Sequence, residues 1–134
     1  MKIGDLRLVV GNSVARTISS PEDLRQRTKE FALRIIKLFR ALPKTEEARV
    51  LGKQILRSGT AVAANYRSAC RARSHADFIS KIGITVEEAD ETAFWLELLV
   101  DANIVKKDRL ENLLVEANEL VRIFQASRTT AKSR

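Results

Sequence analysis

The sequence predicts an all-α protein whose core is an antiparallel up-and-down bundle of four amphipathic helices. The 134-residue chain contains only five Gly and two Pro, and its aromatic content is 5%, a composition that favours long helices over sheets. Apolar residues recur at spacings of three and four, which is the period of a helix with one buried face. Capping residues separate four such segments, and the short connections between them predict antiparallel neighbours.

The first helix is predicted to begin at Pro21, because Ser20 can cap its first turn and proline suits the first helical position. Pro43 ends it, since the residue before a proline is disfavoured in the α conformation. The apolar line of this helix consists of Leu24, Thr28, Phe31, Ile35, Leu38 and Leu42.

The second helix follows Thr45, its predicted cap. Gly52, Gly59 and the small residues of 61–64 make this helix thin, which predicts close packing of a neighbouring backbone. Its apolar line consists of Ala48, Leu51, Ile55, Val62, Ala63, Tyr66 and Cys70.

Ser74, with Asp77 three residues later, predicts the start of the third helix, and Asn103 can close that helix in a left-handed turn. Its inward line consists of Phe78 or Ile79, Ile82, Val86, Ala89, Ala93, Leu96 and Val100. The fourth helix is predicted from Lys107 or Asp108. Its inward line consists of Leu110, Leu113, Ala117, Leu120 and Phe124.

The bundle is therefore predicted to span residues 21–126. Residues 1–20 lack helical periodicity and are predicted to form an N-terminal arm or tail. Residues 127–134 are polar and basic, and we expect this C-terminal tail to fray.

The chain has one cysteine, Cys70, so an intramolecular disulfide is excluded and a reducing compartment is favoured. No apolar run approaches the ~18 residues of a membrane-spanning helix. The N-terminus also lacks the long apolar segment of a secretory signal. We expect a soluble, cytoplasmic protein with no membrane partner.

The net charge of +7 is unevenly distributed. The first 75 residues carry 16 Lys and Arg against 6 Asp and Glu, whereas the last 59 carry 8 against 11. Five basic residues of the second helix form the predicted phosphate-contacting surface: Arg49, Lys53, Arg57, Arg67 and Arg71. Two alternatives remain open at this stage, a solvated face or an ion-pairing partner for the acidic row Glu87, Glu88 and Glu91.

The third helix is apolar on nearly all sides between Phe94 and Val100. Because an outer face of a monomeric bundle is usually polar, this segment predicts contact with other chains. The predicted oligomer interface comprises Phe94, Trp95, Leu98 and Leu99. In the alternative reading, Trp95 covers one end of the core or packs under the N-terminal arm.

The sequence predicts neither an enzyme nor a metal or cofactor site. Carboxylate-bridged metal bundles need Glu-x-x-His pairs, but the only histidine, His75, has no acidic residue three positions before it. Cys70 lies on an apolar line, where a free cysteine usually acts as a small buried hydrophobe. The chain also lacks a Gly-rich phosphate loop and a Ser/His/Asp set.

Four segments carry a family resemblance: residues 54–67, 77–79, 87–91 and 95–96. They resemble the bacterial four helix bundle protein family, which includes proteins encoded in intervening sequences of large-subunit ribosomal RNA genes. The family is similar to the accessory variability determinant of diversity-generating retroelements. Gln54, Asn65, Phe78 and Glu91 match the intervening-sequence pattern, whereas Ala61 replaces its common Ser.

The resemblance implies a four-helix bundle that assembles as a homopentamer. Family members are implicated in nucleic-acid binding, and the retroelement relative binds a reverse transcriptase through a basic surface. The leading hypothesis is therefore a non-enzymatic homo-oligomer whose second helix contacts RNA or DNA, alone or together with a partner protein. The alternative is a protein–protein scaffold or accessory subunit that binds no nucleic acid.

Overall fold

Four antiparallel α-helices make up the computed structural model, which describes residues 20–134. The helices are α1 (Pro21–Ala41), α2 (Glu46–Cys70), α3 (His75–Asp101) and α4 (Lys107–Lys132). Helix α2 packs between α1 and α3, and α3 packs against α4. The predicted up-and-down bundle is confirmed, while the N-terminal arm lies outside the described residues except for Ser20.

The three predicted N-caps are confirmed. The hydroxyls of Ser20, Thr45 and Ser74 accept hydrogen bonds from the amides of Asp23 (3.0 Å), Ala48 (3.3 Å) and Asp77 (3.0 Å). Asn103 adopts a positive φ of 60° after α3, as predicted for the left-handed turn that ends this helix. Local hydrogen bonding at the helix ends therefore defines where three helices start and where α3 stops.

The core lies along the predicted inward lines of the four helices. Its largest fully buried apolar side chains are Phe31, Ile35, Ile55, Ile82, Leu96, Leu99, Leu120 and Phe124. Tyr66 joins them, with its ring centroid 4.9 Å from that of Phe124. One buried polar contact joins α2 to α3, where the hydroxyl oxygens of Ser58 and Thr92 lie 2.8 Å apart.

Two glycines bring α1 and α2 into close contact, as predicted from the thin surface of α2. A Cβ atom at Gly59 would lie 2.7 Å from Cγ1 of Ile35, and one at Gly52 would lie 2.7 Å from Cδ1 of Leu42. Both distances are shorter than van der Waals contact between carbon atoms. Glycine at these positions therefore allows α1 to pack directly on the backbone of α2.

The arginine Arg27 links α1 to α4, which otherwise make few contacts. Its Nε and Nη2 atoms donate to the two carboxylate oxygens of Glu116 at 2.7 and 2.8 Å, and Nη2 also donates to Glu119. The hydrogen bonds to Glu116 are the largest cause of the raised pKa of Arg27. The contact with Glu116 is bidentate, the geometry in which an arginine–carboxylate pair is strongest.

The expected fraying from Ser127 onward is wrong, because α4 continues to Lys132. Two non-local contacts extend the helix beyond its predicted end. Ala131 is only 6% exposed, and its carbonyl oxygen lies 2.7 Å from Nε2 of His75 at the start of α3. The basic C-terminal segment is therefore largely part of the bundle.

Replacing Gly59 with alanine should lower the free energy of unfolding by about 1–3 kcal/mol, the usual cost of overpacking a core. The new methyl group would displace Ile35, which is fully buried. Gly83→Ala is the matched control, since its Cβ would lie 3.4 Å from the flexible side chain of Arg128. Alanine's better helix propensity should make that variant neutral or more stable by up to about 1 kcal/mol. Urea denaturation of both variants measures the difference, and equal effects would contradict the packing argument.

Candidate nucleic-acid interface

All five basic residues predicted as the phosphate-contacting surface lie on exposed positions. Arg49 pairs with Glu46 at 3.3 Å within the same helix, but both side chains are more than half exposed. Because solvent screens such a pair, Arg49 keeps most of its ability to attract an anion. Lys53 forms no ion pair within residues 20–134.

Arg57 differs from the other four because acidic residues of α3 balance its charge. Its Nη1 lies 3.2 Å from Oε1 of Glu88, and its Nη2 lies 2.5 Å from Oε2 of Glu91. The hydrogen bond to Glu91 is the main cause of the raised pKa of Arg57. For this arginine the alternative of an acidic partner on the third helix is confirmed, and the partner belongs to the same chain.

Glu91 connects Arg57 to the single tryptophan. The indole Nε1 of Trp95 donates to Oε2 of Glu91 at 3.0 Å, and this bond and the one from Arg57 lower the pKa of Glu91. The ring of Phe94 packs edge-on against Trp95, with centroids 5.0 Å apart. The indole is therefore held both by a hydrogen bond and by an aromatic contact.

The predicted oligomer interface needs one correction, which concerns Leu99. This residue is fully buried and belongs to the core, one helical turn after Leu96. Phe94 is 52% exposed, and Leu98 is partly buried. The apolar segment of α3 therefore contains both core and surface residues, and its length alone could not separate them.

Phe94 is exposed, whereas Trp95 is partly buried and packs against the core. Because α2 and α3 are antiparallel and Arg57 lies opposite Glu88 and Glu91, Val50 is placed near the level of Leu98. Val50 is 51% exposed. We call the following residues the apolar patch: Val50, Phe94, Trp95 and Leu98.

Along its C-terminal half, α2 forms an open groove of about 820 Å³ with α1. Arg25 and Lys29 line the groove from α1, and Arg67 and Arg71 line it from the C-terminal end of α2. None of the four forms an ion pair within residues 20–134. Glu22 is the one acidic residue among the described residues that line the groove. This basic groove therefore concentrates uncompensated positive charge.

Small side chains leave room between the two helices in the basic groove. Thr60, Ala63 and Ala64 line it from α2, and Gln26 lines it from α1. The small residues of 61–64 were predicted to pack against a neighbouring helix. In the structure, two of them instead lie in the groove that brings basic side chains of both helices together.

Sequence reasoning identified Arg67 and Arg71 but missed Arg25 and Lys29. Their spacing of four residues could have predicted a basic face on α1, because residues four apart lie on the same side of a helix. Both are absent from the inward line of α1, so they were available for an outer surface. Which neighbour they would face depends on how α1 packs on α2, and the pattern within α1 does not contain that information.

Cys70 lies at the basic groove and is partly buried, so it is less enclosed than its position on an apolar line indicated. Its neighbour Tyr66 is buried, and burial raises the pKa of the phenol, with a further contribution from a hydrogen bond with Cys70. Tyr66 therefore belongs to the core, and its ring is not available on the groove surface for stacking.

No group of three or more His, Cys, Asp or Glu side chains in residues 20–134 is arranged to hold a metal ion. No helix in the same range combines the length and apolarity needed to cross a bilayer.

Protonation of Glu91 should release the indole of Trp95, which its fluorescence can report because it is the only tryptophan. Folding lowers the pKa of Glu91, so the ionised carboxylate stabilises the folded state. This stabilisation is complete above the ordinary pKa of glutamate, about 4.3, and is lost as the pH falls through the lower pKa of the folded protein. We expect an emission change with a midpoint below about 4.3 while helicity is unchanged.

Glu91→Gln should abolish this transition, whereas Glu87→Gln on the same helix should retain it. An emission profile that is identical in the wild type and the Glu91→Gln variant would contradict the role of Glu91.

Comparison with known proteins places this geometry in a family. The model of the 23S rRNA-intervening sequence protein family matches residues 22–126. A crystal structure of a protein with unknown function from the S23 ribosomal protein family, from Bacteroides thetaiotaomicron, is similar, with a TM-score of 0.76 and 36% identity over 81% of this chain and 97% of that one. No curated protein sequence matches this chain. Because the family model matches most of the chain, from the first turn of α1 into α4, the chain belongs to the 23S rRNA-intervening sequence protein family.

Proposed function

We propose that this protein binds RNA or DNA through the exposed cations of α1 and α2 and has no catalytic role. The basic groove carries the proposal, because four cations from two helices line one cavity and form no ion pair within residues 20–134. Lys53 and Arg49 extend the basic surface along α2. Such a surface attracts phosphates by releasing their counterions, so binding should weaken strongly as salt is added.

Arg57 has a structural role in this proposal. Glu88 and Glu91 already balance its charge, so it attracts a phosphate less strongly than a cation without an acidic partner does. The surface available for nucleic acid is therefore centred on the groove between α1 and α2.

Reversing two groove charges, as in the Arg25→Glu/Arg67→Glu variant, should weaken binding of an RNA hairpin with a single-stranded tail by about tenfold or more at low salt. The slope of log affinity against log salt should become shallower by roughly 1.4 to 1.8, since two phosphate contacts are lost. Fluorescence anisotropy measures both quantities.

Arg109→Glu/Arg122→Glu is the matched control, because it changes net charge by the same amount at exposed positions on α4. Its affinity should stay close to that of the wild type. If both variants lost the same affinity for RNA, the effect would come from net charge and not from the groove, which would contradict the proposal. A wild-type protein that binds no RNA at low salt would also overturn it.

The apolar patch favours a second function, self-association into a homo-oligomer. Phe94 is 52% exposed and in ring contact with Trp95, and large exposed aromatics are typical of contact sites between chains. The family resemblance favours a pentamer. The same patch also provides the surface for the alternative in which the bundle is a scaffold for a partner protein.

Phe94→Ser should lower the mass of the protein in solution without loss of helicity, because the side chain contributes to the surface more than to the core. Ile84→Ser is the control, since Ile84 is a 40% exposed apolar residue on the same helix that lies outside the apolar patch. Multi-angle light scattering measures the mass of each variant. A wild-type protein that is monomeric at high concentration would contradict self-association.

A further inference from the structure

We propose that the basic groove takes single-stranded nucleic acid in preference to duplex. This inference rests on the proposed function and adds the class of nucleic acid. Three features carry it: the width of the groove, the placement of its cations on opposite walls and the small residues between them.

The groove lies between two packed helices, and a rigid duplex cannot enter the space between them. Packed helices have axes about 8–10 Å apart, and Gly59 keeps α1 close to α2 just beside the groove. The major groove of B-DNA is about 12 Å wide and can itself accommodate an α-helix. A duplex is therefore wider than either helix and could touch only the outer edges of the groove, whereas one strand can lie between them.

The cations are placed to hold one strand from two sides. Arg25 and Lys29 stand one helical turn apart on α1, as do Arg67 and Arg71 at the end of α2, a rise of about 6 Å in each case. A strand lying in the groove is in reach of both pairs.

The space between the cations suits a chain of nucleotides. Thr60, Ala63 and Ala64 have small side chains, which leave the space between the two pairs of cations open. In the described part of the chain, no aromatic side chain lines the groove, so base stacking does not contribute. Contacts to the backbone should therefore dominate, and affinity should depend little on base sequence.

The test compares a labelled twelve-nucleotide RNA of mixed sequence with the same strand annealed to its complement, using the full-length protein at about 50 mM salt. We expect the single strand to bind about tenfold more tightly, with a log–log salt slope near −2.8 for four phosphate contacts. Equal or tighter binding of the duplex would overturn this inference and leave the proposed function standing. Binding of neither RNA would overturn both.

Alkylation of Cys70 by iodoacetamide locates the bound strand, because this thiol lies at the basic groove and is the only one in the chain. Saturating single-stranded RNA should slow the reaction several-fold, measured by intact-protein mass spectrometry, and duplex should leave the rate nearly unchanged. In the Arg25→Glu/Arg67→Glu variant, added RNA should have no effect. Full alkylation of the wild type with single strand bound would place that strand outside the groove and overturn the inference.

Discussion

The close contact of α1 with α2 determines where the basic groove lies. Gly52 and Gly59 have no Cβ; a Cβ at Gly59 would lie 2.7 Å from a side-chain carbon of Ile35 in α1, and one at Gly52 would lie 2.7 Å from a side-chain carbon of Leu42, immediately after α1. The two helices can therefore pack with their backbones near each other, and the cations at their outer edges then face one another across a narrow groove. Larger residues at these positions would separate the helices and disperse the charge of Arg25, Lys29, Arg67 and Arg71 over two independent surfaces.

The described arginines divide into those that pair with acidic residues of a neighbouring helix and those that do not. Arg27 links α1 to α4 through Glu116 and Glu119, and Arg57 links α2 to α3 through Glu88 and Glu91. Each guanidinium suits such a bridge because its planar donors can reach two carboxylates at once. Net charge of the chain alone does not reveal this division. Only the cations that are not used in bridges between helices can contribute fully to a phosphate-binding surface.

Local features of the sequence predicted more than long-range ones. Ser20, Thr45, Ser74 and Asn103 act through hydrogen bonds or backbone angles within a few residues, so the predicted helix boundaries are confirmed there. The C-terminal end of α4 depends on its contact with α3, and no pattern within α4 contains that information. The basic groove was only partly predicted because it also depends on packing between helices. Periodicity showed which side of α2 was basic, but it did not show that α1 would supply half of the groove.

The basic groove is lined by residues of the C-terminal half of α2, whereas Val50 of the apolar patch lies in its N-terminal half. Contacts through Phe94 and its neighbours would join copies near the N-terminal half of α2, while the groove near its C-terminal end would stay accessible. An oligomer formed in this way would present one groove per subunit. Binding of one nucleic-acid chain by several grooves would raise affinity through effective concentration without any new contact within a single groove. Weak binding by one small, non-stacking groove is therefore compatible with tight binding by the assembly, and the two proposed functions support each other.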